Sequence, residues 1–161
     1  MGHAISITVN GTPWRVDVEP GDVLLEVLRE RIGVKSPKIG CERGDCGSCT
    51  VLLDGRTVRS CLVLAVEAGG HEITTLEGIE DEGLTGIQQA MVELSAFQCG
   101  FCAPGIILAT HELVQTHSPP TRREIQEAIA GNLCRCTGYE PIINAVLAAT
   151  RSGSRGEEMP T

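Results

Sequence analysis

Gly40-Cys41-Glu42-Arg43-Gly44-Asp45-Cys46-Gly47-Ser48-Cys49-Thr50 sets three cysteines and three glycines in eleven residues. Glycine at that density weakens helix and strand alike, so the stretch reads as a loop wrapped around something. Its flanks say what carries the loop. Upstream, residues 4–10 and 14–18 alternate in the strand manner around Asn10-Gly11, a pair that favours a tight hairpin. Glu19-Pro20-Gly21 then breaks the pattern, and Asp22 is predicted to cap a helix with Val23, Leu24, Val27 and Leu28 on its apolar face and Gly33 as its stop. Downstream, Val51–Leu53, Asp54-Gly55 and Arg56–Val58 read as a second hairpin, and Glu72–Thr75 as a further short strand. The first half is therefore a small mixed sheet crossed by one helix.

Beyond Gly78 the two-residue periodicity disappears, and helices are predicted over about 84–96, 105–116, 122–130 and 140–150. Thr121 and Glu124 have capping-box spacing, and Ser118-Pro119-Pro120 ends the helix before them. The acidic stretch at 76–83 carries the joint and reads as solvated rather than functional. The expected domains are 1–77 and 84–150, with 78–83 as linker and 151–161 as a polar, mobile tail.

Composition narrows the function classes. The formal net charge of -8 and the lack of any Lys/Arg-rich run argue against a nucleic-acid partner. No stretch approaches the roughly 18 consecutive apolar residues of a membrane span, and the start of the chain enters a strand pattern rather than a signal core, so the expected location is the cytoplasm. Only four aromatics, Trp14, Phe97, Phe101 and Tyr139, serve two small cores, which leaves room for a bound metal as a staple.

Eight cysteines in such a chain point to metal or redox use rather than disulfides. Cys41, Cys46, Cys49 and Cys61 are spaced C-x4-C-x2-C-x11-C, and the first three match the plant-type ferredoxin loop for a 2Fe-2S cluster. Gly40, Gly44 and Gly47 let backbone amides approach the sulfurs of an anionic cluster. In the second half, Cys99 and Cys102 lie in Gln98-Cys-Gly-Phe-Cys-Ala-Pro, and Cys134 and Cys136 in Asn132-Leu-Cys-Arg-Cys-Thr-Gly, each pair at a helix end, with Pro104 suited to a first helical turn. Zinc in both sites, reduced structural cysteines and a thioredoxin-like pair at Cys99/Cys102 are the alternatives left open by spacing alone. His3, His71, His111 and His117 are scattered without ligand spacing and read as surface residues. There is no dinucleotide fingerprint, Walker loop or nucleophile elbow.

Taken in order, Gly40–Thr50, Gln98–Gly105 and Gly131–Tyr139 resemble the iron-sulfur small subunit of the molybdenum hydroxylases, the xanthine oxidase and aldehyde oxidoreductase family, over about residues 4–150. The resemblance implies an α+β chain, with an N-terminal β-grasp, ferredoxin-like domain followed by an all-α four-helix domain, each holding one 2Fe-2S cluster. It implies no catalytic residue on this chain. It also implies a hetero-oligomer: a large subunit binding molybdopterin in its cytosine dinucleotide form, with Gln98 and Cys136 near the pterin, and a medium subunit binding FAD. Electrons would run from molybdenum through the helical cluster and the ferredoxin-like cluster to the flavin or an external acceptor. Ala103 stands where many relatives carry threonine; it is not a ligand. A free-standing ferredoxin-like carrier is the competing reading, and a zinc-stabilised interaction module a third.

Overall fold

A computed structural model describes residues 2–79, 85–117 and 119–152. Strands β1 (His3–Val9) and β2 (Thr12–Val18) form the first hairpin, β3 (Thr50–Leu53) and β4 (Arg56–Arg59) the second, and β5 (Glu72–Thr74) joins them in the order β2-β1-β5-β3-β4. β5 runs parallel to β1 and antiparallel to β3, so the sheet is mixed. Both hairpin turns are as read: Asn10 and Gly11 have φ of 50° and 75°, Asp54 and Gly55 of 48° and 79°, the left-handed pair that a two-residue turn between twisted strands needs.

Helix α1 (Leu24–Glu26) runs into a wider π turn (Val27–Ile32) and stops at Gly33, φ 91°. Asp22 does not cap it. The residue before the helix is Val23, without a side-chain cap. The free amides of Leu24 and Leu25 donate instead to the carbonyls of Val63 (2.8 Å) and Ser60 (3.1 Å), beside Cys61. The cap is thus tertiary backbone, and Asp22 accepts the Glu19 amide at 2.8 Å and pairs with Arg31.

Four helices follow: α2 (Gly86–Glu93), α3 (Ala103–Thr116), α4 (Arg122–Ile129) and α5 (Glu140–Ser152). The Thr121/Glu124 capping box forms, and so does an equivalent one at Thr85/Gln88. Leu24, Leu28, Val51 and Ile73 centre one core under the sheet, and Ile106, Ile125, Ile129 and Ile142 a second between the helices. α3 bridges the halves, packing on α2 and α4 and also on β3 and β4. Its Glu112 accepts the Thr57 amide at 2.9 Å and pairs with Arg56 at 3.0 Å.

Three further expectations change or shift. The joint is not merely solvated: Leu76 and Ile79 pack on the helical core, and Glu77 accepts from the Ser36 amide (3.0 Å) and from the Thr75 hydroxyl (2.6 Å). His111 is half-buried on α3, not a surface residue, because this helix is covered from both sides. Arg151 and Ser152 belong to α5 rather than to a tail. Residues 80–84, Ser118 and 153–161 lie outside the described residues, so most of the linker and tail expectations do too.

Candidate metal centres

The Cys41–Cys49 loop folds back on the end of β4, which brings Cys61 under it. The Cys49 and Cys61 sulfurs, both buried, stand 3.4 Å apart. Cys41 faces Cys46, whose backbone amide donates to the Cys41 sulfur at 3.4 Å. The loop glycines explain the curl. A Cβ on Gly40 would sit 2.8 Å from the Cys46 sulfur, and Gly44 and Gly47 hold φ of 87° and 71°. The Gly44 amide turns toward Cys61.

The second quartet lines a cavity of about 100 Å³ between the Gln98–Cys102 and Leu133–Cys136 loops. Cys99 and Cys136 are exposed with their sulfurs 3.6 Å apart; Cys102 is buried and faces Cys134. Gln98 Nε2 donates to the Cys136 carbonyl at 3.2 Å, tying the loops across the open side. Pro104 lies in the first turn of α3, two residues after Cys102, as its place in the sequence predicts. Gly138 and Tyr139, with φ of 63° and 70°, turn the chain back so that the Tyr139 hydroxyl accepts the Cys134 amide at 2.9 Å and donates to the Asn132 carbonyl at 3.3 Å.

Two thiolates on one tetrahedral metal stand about 3.7 Å apart when the metal–sulfur bonds are about 2.3 Å. The 3.4 Å and 3.6 Å pairs fit that separation, and each quartet supplies two facing pairs. Among the described residues, no three His, Cys, Asp or Glu side chains gather around one point as a single ion requires. Paired thiols spread over a pocket suit a two-iron centre better than a four-cysteine zinc site.

The electrostatics point the same way. Amides of Arg43 and Cys46 lower the Cys41 thiol to about 7, whereas burial, with Cys49 alongside, raises Cys61 to about 11. In the helical quartet, burial beside Cys134 raises Cys102 to about 12. Burial also raises Cys134, but the Thr137 hydroxyl and the Cys136 and Thr137 amides outweigh it and leave that thiol below its ordinary value. Four thiolates can share such a pocket only if a bound cationic centre offsets their charge.

The two pockets are joined directly. The Leu133 amide donates to the Cys46 carbonyl at 2.8 Å, linking a residue next to Cys134 with a residue of the first quartet. Asn132, 1% exposed, donates to the Gly47 carbonyl (2.9 Å) and to Thr50 Oγ1 (3.1 Å). Arg59 donates to Thr50 Oγ1 (2.9 Å) and to the Gly131 carbonyl (2.7 Å). Gly47 and Gly105 make the approach possible: a Cβ on either would run into backbone of the other loop. Thr50 and Asn132 fall inside motif stretches of the sequence but were given no role there, and Arg59 falls outside them, because a polar residue that clamps a distant carbonyl carries no local signal.

Comparison with known proteins agrees with this geometry. Residues 7–76 match the family model for a 2Fe-2S iron-sulfur cluster binding domain, and residues 75–147 that for a second 2Fe-2S binding domain. The xanthine dehydrogenase iron-sulfur-binding subunit of Escherichia coli O157:H7 is 50% identical over 154 residues, covering 91% of this chain and 96% of that one. The nicotine 6-hydroxylase small subunit of Paenarthrobacter nicotinovorans is 44% identical, covering 90% and 88%. A chain of quinoline 2-oxidoreductase from Pseudomonas putida 86 superposes with a TM-score of 0.90 at 45% identity, covering 98% of this chain and 99% of that one. The aldehyde oxidoreductase of Desulfovibrio desulfuricans also gives 0.90, at 39% identity, but this chain spans only 18% of that larger one. With two cluster-binding domains in tandem and relatives matched end to end, the chain belongs to the iron-sulfur subunit family of the molybdenum hydroxylases.

Proposed function

We propose that this chain is the electron-transfer subunit of a multi-subunit molybdenum hydroxylase, with Cys41, Cys46, Cys49 and Cys61 as ligands of one 2Fe-2S cluster and Cys99, Cys102, Cys134 and Cys136 as ligands of the other. The observation that carries this reading is the facing thiol pairs in two pockets, joined by the Leu133–Cys46 hydrogen bond. When bound, the clusters supply one-electron carriage, which no side chain here provides.

The protein's own part is to hold and insulate. The amides of the Gly40, Gly44 and Gly47 loop face the sulfurs of the first quartet and offset their negative charge. Asn132 and Arg59 clamp the two ligand loops to each other and keep the path between them short. Gln98 fixes the Cys136 backbone at the exposed mouth of the second pocket, flanked by exposed Phe101 and Leu133. That apolar rim supports a partner face there; on the likeness to the family we take the partner to be a large subunit carrying molybdopterin, in its cytosine dinucleotide form, with Gln98 and Cys136 nearest the pterin. Ile39 and Leu62, exposed around the first pocket, support a second partner face there, for a medium FAD-binding subunit or an external acceptor. Electrons therefore pass from the Cys136 side to the Cys41 side. Relatives that are subunits of dehydrogenase complexes weigh against the free-standing carrier.

The β-grasp and four-helix domains, at 1–77 and 84–150 with 78–83 between them, are the two carriers in this scheme. The cytoplasm, which keeps cysteines reduced and available as cluster ligands, is the compartment this reading fits. The test is iron and acid-labile sulfide per chain on anaerobically purified complex, with low-temperature electron paramagnetic resonance after dithionite. About four irons, four sulfides and two distinct signals are expected. Zinc without sulfide, or one signal with two irons, overturns the assignment of at least one quartet.

A further inference from the structure

Thr137 lies one residue past Cys136, and its Oγ1 stands 3.1 Å from the Cys134 sulfur. That oxygen also accepts the Tyr139 amide at 3.1 Å. Either atom of a thiol–hydroxyl pair can donate, but a metal-bound thiolate has no proton to give, so with Cys134 as a ligand the Thr137 hydroxyl is the donor. The contact is fixed by the turn that follows it: Gly138 and Tyr139 both occupy the left-handed region, with φ of 63° and 70°, and the Tyr139 hydroxyl is pinned between the Cys134 amide and the Asn132 carbonyl. Among the described residues, the hydrogen bonds to sulfurs of the first quartet come from backbone amides and neighbouring thiols. The side-chain hydroxyl is a feature of the helical quartet.

We infer that Thr137 is a redox-tuning residue: its hydroxyl donates to the Cys134 thiolate, the bond strengthens when the helical cluster gains an electron, and the reduction potential of that cluster alone is raised. The inference rests on Cys134 being a ligand, as proposed above. Reduction adds one electron, from the molybdenum side in the working complex or from dithionite in the test; no covalent bond is made or broken, and the hydroxyl proton stays on oxygen. A donor to a sulfur whose negative charge grows stabilises the reduced form more than the oxidised form. Tuning in this direction pulls electrons toward the cluster next to molybdenum.

The experiment is a titration of both cluster signals by electron paramagnetic resonance on the intact complex carrying Thr137→Val or Thr137→Ser. Thr137→Val is expected to disfavour reduction of the helical cluster roughly tenfold, about 59 mV for one electron, and to leave the ferredoxin-like cluster where it was. Thr137→Ser keeps the hydroxyl and is expected to restore the original value. No shift with Val, equal shifts of both clusters, or the same shift with Val and Ser overturns the inference while the two-cluster reading stands. Fewer than two signals in the unaltered complex overturns both. If the Val variant does not load its second cluster, Thr137→Ala takes its place in the titration, and proton hyperfine spectra in H2O and D2O are compared with the unaltered complex: loss in Thr137→Ala of one exchangeable coupling to the helical cluster that the unaltered complex and Thr137→Ser both retain is required, and its persistence refutes the contact.

Discussion

Replacing Gly47 by alanine is the most direct way to test whether the two ligand loops are locked together. Gly47 has φ of 71°, and a Cβ there would fall on the Gly131 carbonyl and within 2.8 Å of Asn132 Nδ2. Gly55 has nearly the same φ, 79°, but nothing within 4 Å of its missing Cβ, so it isolates the conformational part of the cost. A non-glycine residue in the left-handed region costs about 1 kcal/mol, which Gly55→Ala should pay in full. Gly47→Ala adds overpacking against backbone that cannot rotate away, about 2–3 kcal/mol more. For a chain of this size, 1 kcal/mol moves the unfolding midpoint by about 2–4 °C, so Gly55→Ala should lower it by about 2–4 °C and Gly47→Ala by about 6–16 °C. Thermal unfolding of the cluster-loaded protein, followed by visible absorbance and far-ultraviolet circular dichroism, makes the comparison. Magnetic coupling between the two reduced clusters should weaken in Gly47→Ala as the loops part and stay unchanged in Gly55→Ala. Equal midpoints for the two variants would refute the reasoning, because the loops would then be free to move aside.

Cys136→Ser should remove or alter the helical-cluster signal while the signal of the first cluster persists; loss of both would mean that the quartets are not independent. Glu77 tests the joint between the halves. Partial burial of its carboxyl pushes its pKa up, but hydrogen bonds from Ser36 and Thr75 together bring it below the ordinary carboxylate value. Its contribution to stability is therefore present above about pH 4.5 and lost as the pH falls through the lower folded-state value, so Glu77→Gln should flatten the acid limb of a stability–pH curve and leave the limb above pH 7 alone. Burial lowers the pKa of His111 from its ordinary 6.5. The unfolded chain then takes up the proton first, so stability is complete above about pH 6.5 and declines below it, and His111→Gln should remove that part of the decline without altering either cluster signal.

What the sequence determined by itself is what depends on near neighbours. Asn10-Gly11 and Asp54-Gly55 form their turns because the left-handed backbone they need is a property of those residues. Thr121 and Glu124 close a capping box across three residues, and Gly33 ends its helix, for the same local reason. The spacing of Cys41, Cys46 and Cys49 marks a ligand loop because a short glycine-rich chain can return to one centre only at such intervals. Tertiary structure decided the rest. Asp22 looks like a cap, but the carbonyls of Ser60 and Val63, some forty residues on, take the helix amides first. His111 is half-buried only because α3 packs on strands as well as helices, and Glu77 is tied down only because Ser36 comes to meet it. The partner that Cys49 faces, and the clamp of Asn132 and Arg59 on the opposite loop, join residues that are neighbours only in space. Local chemistry chose the ligands; long-range packing chose which thiols face each other and how closely the two pockets stand.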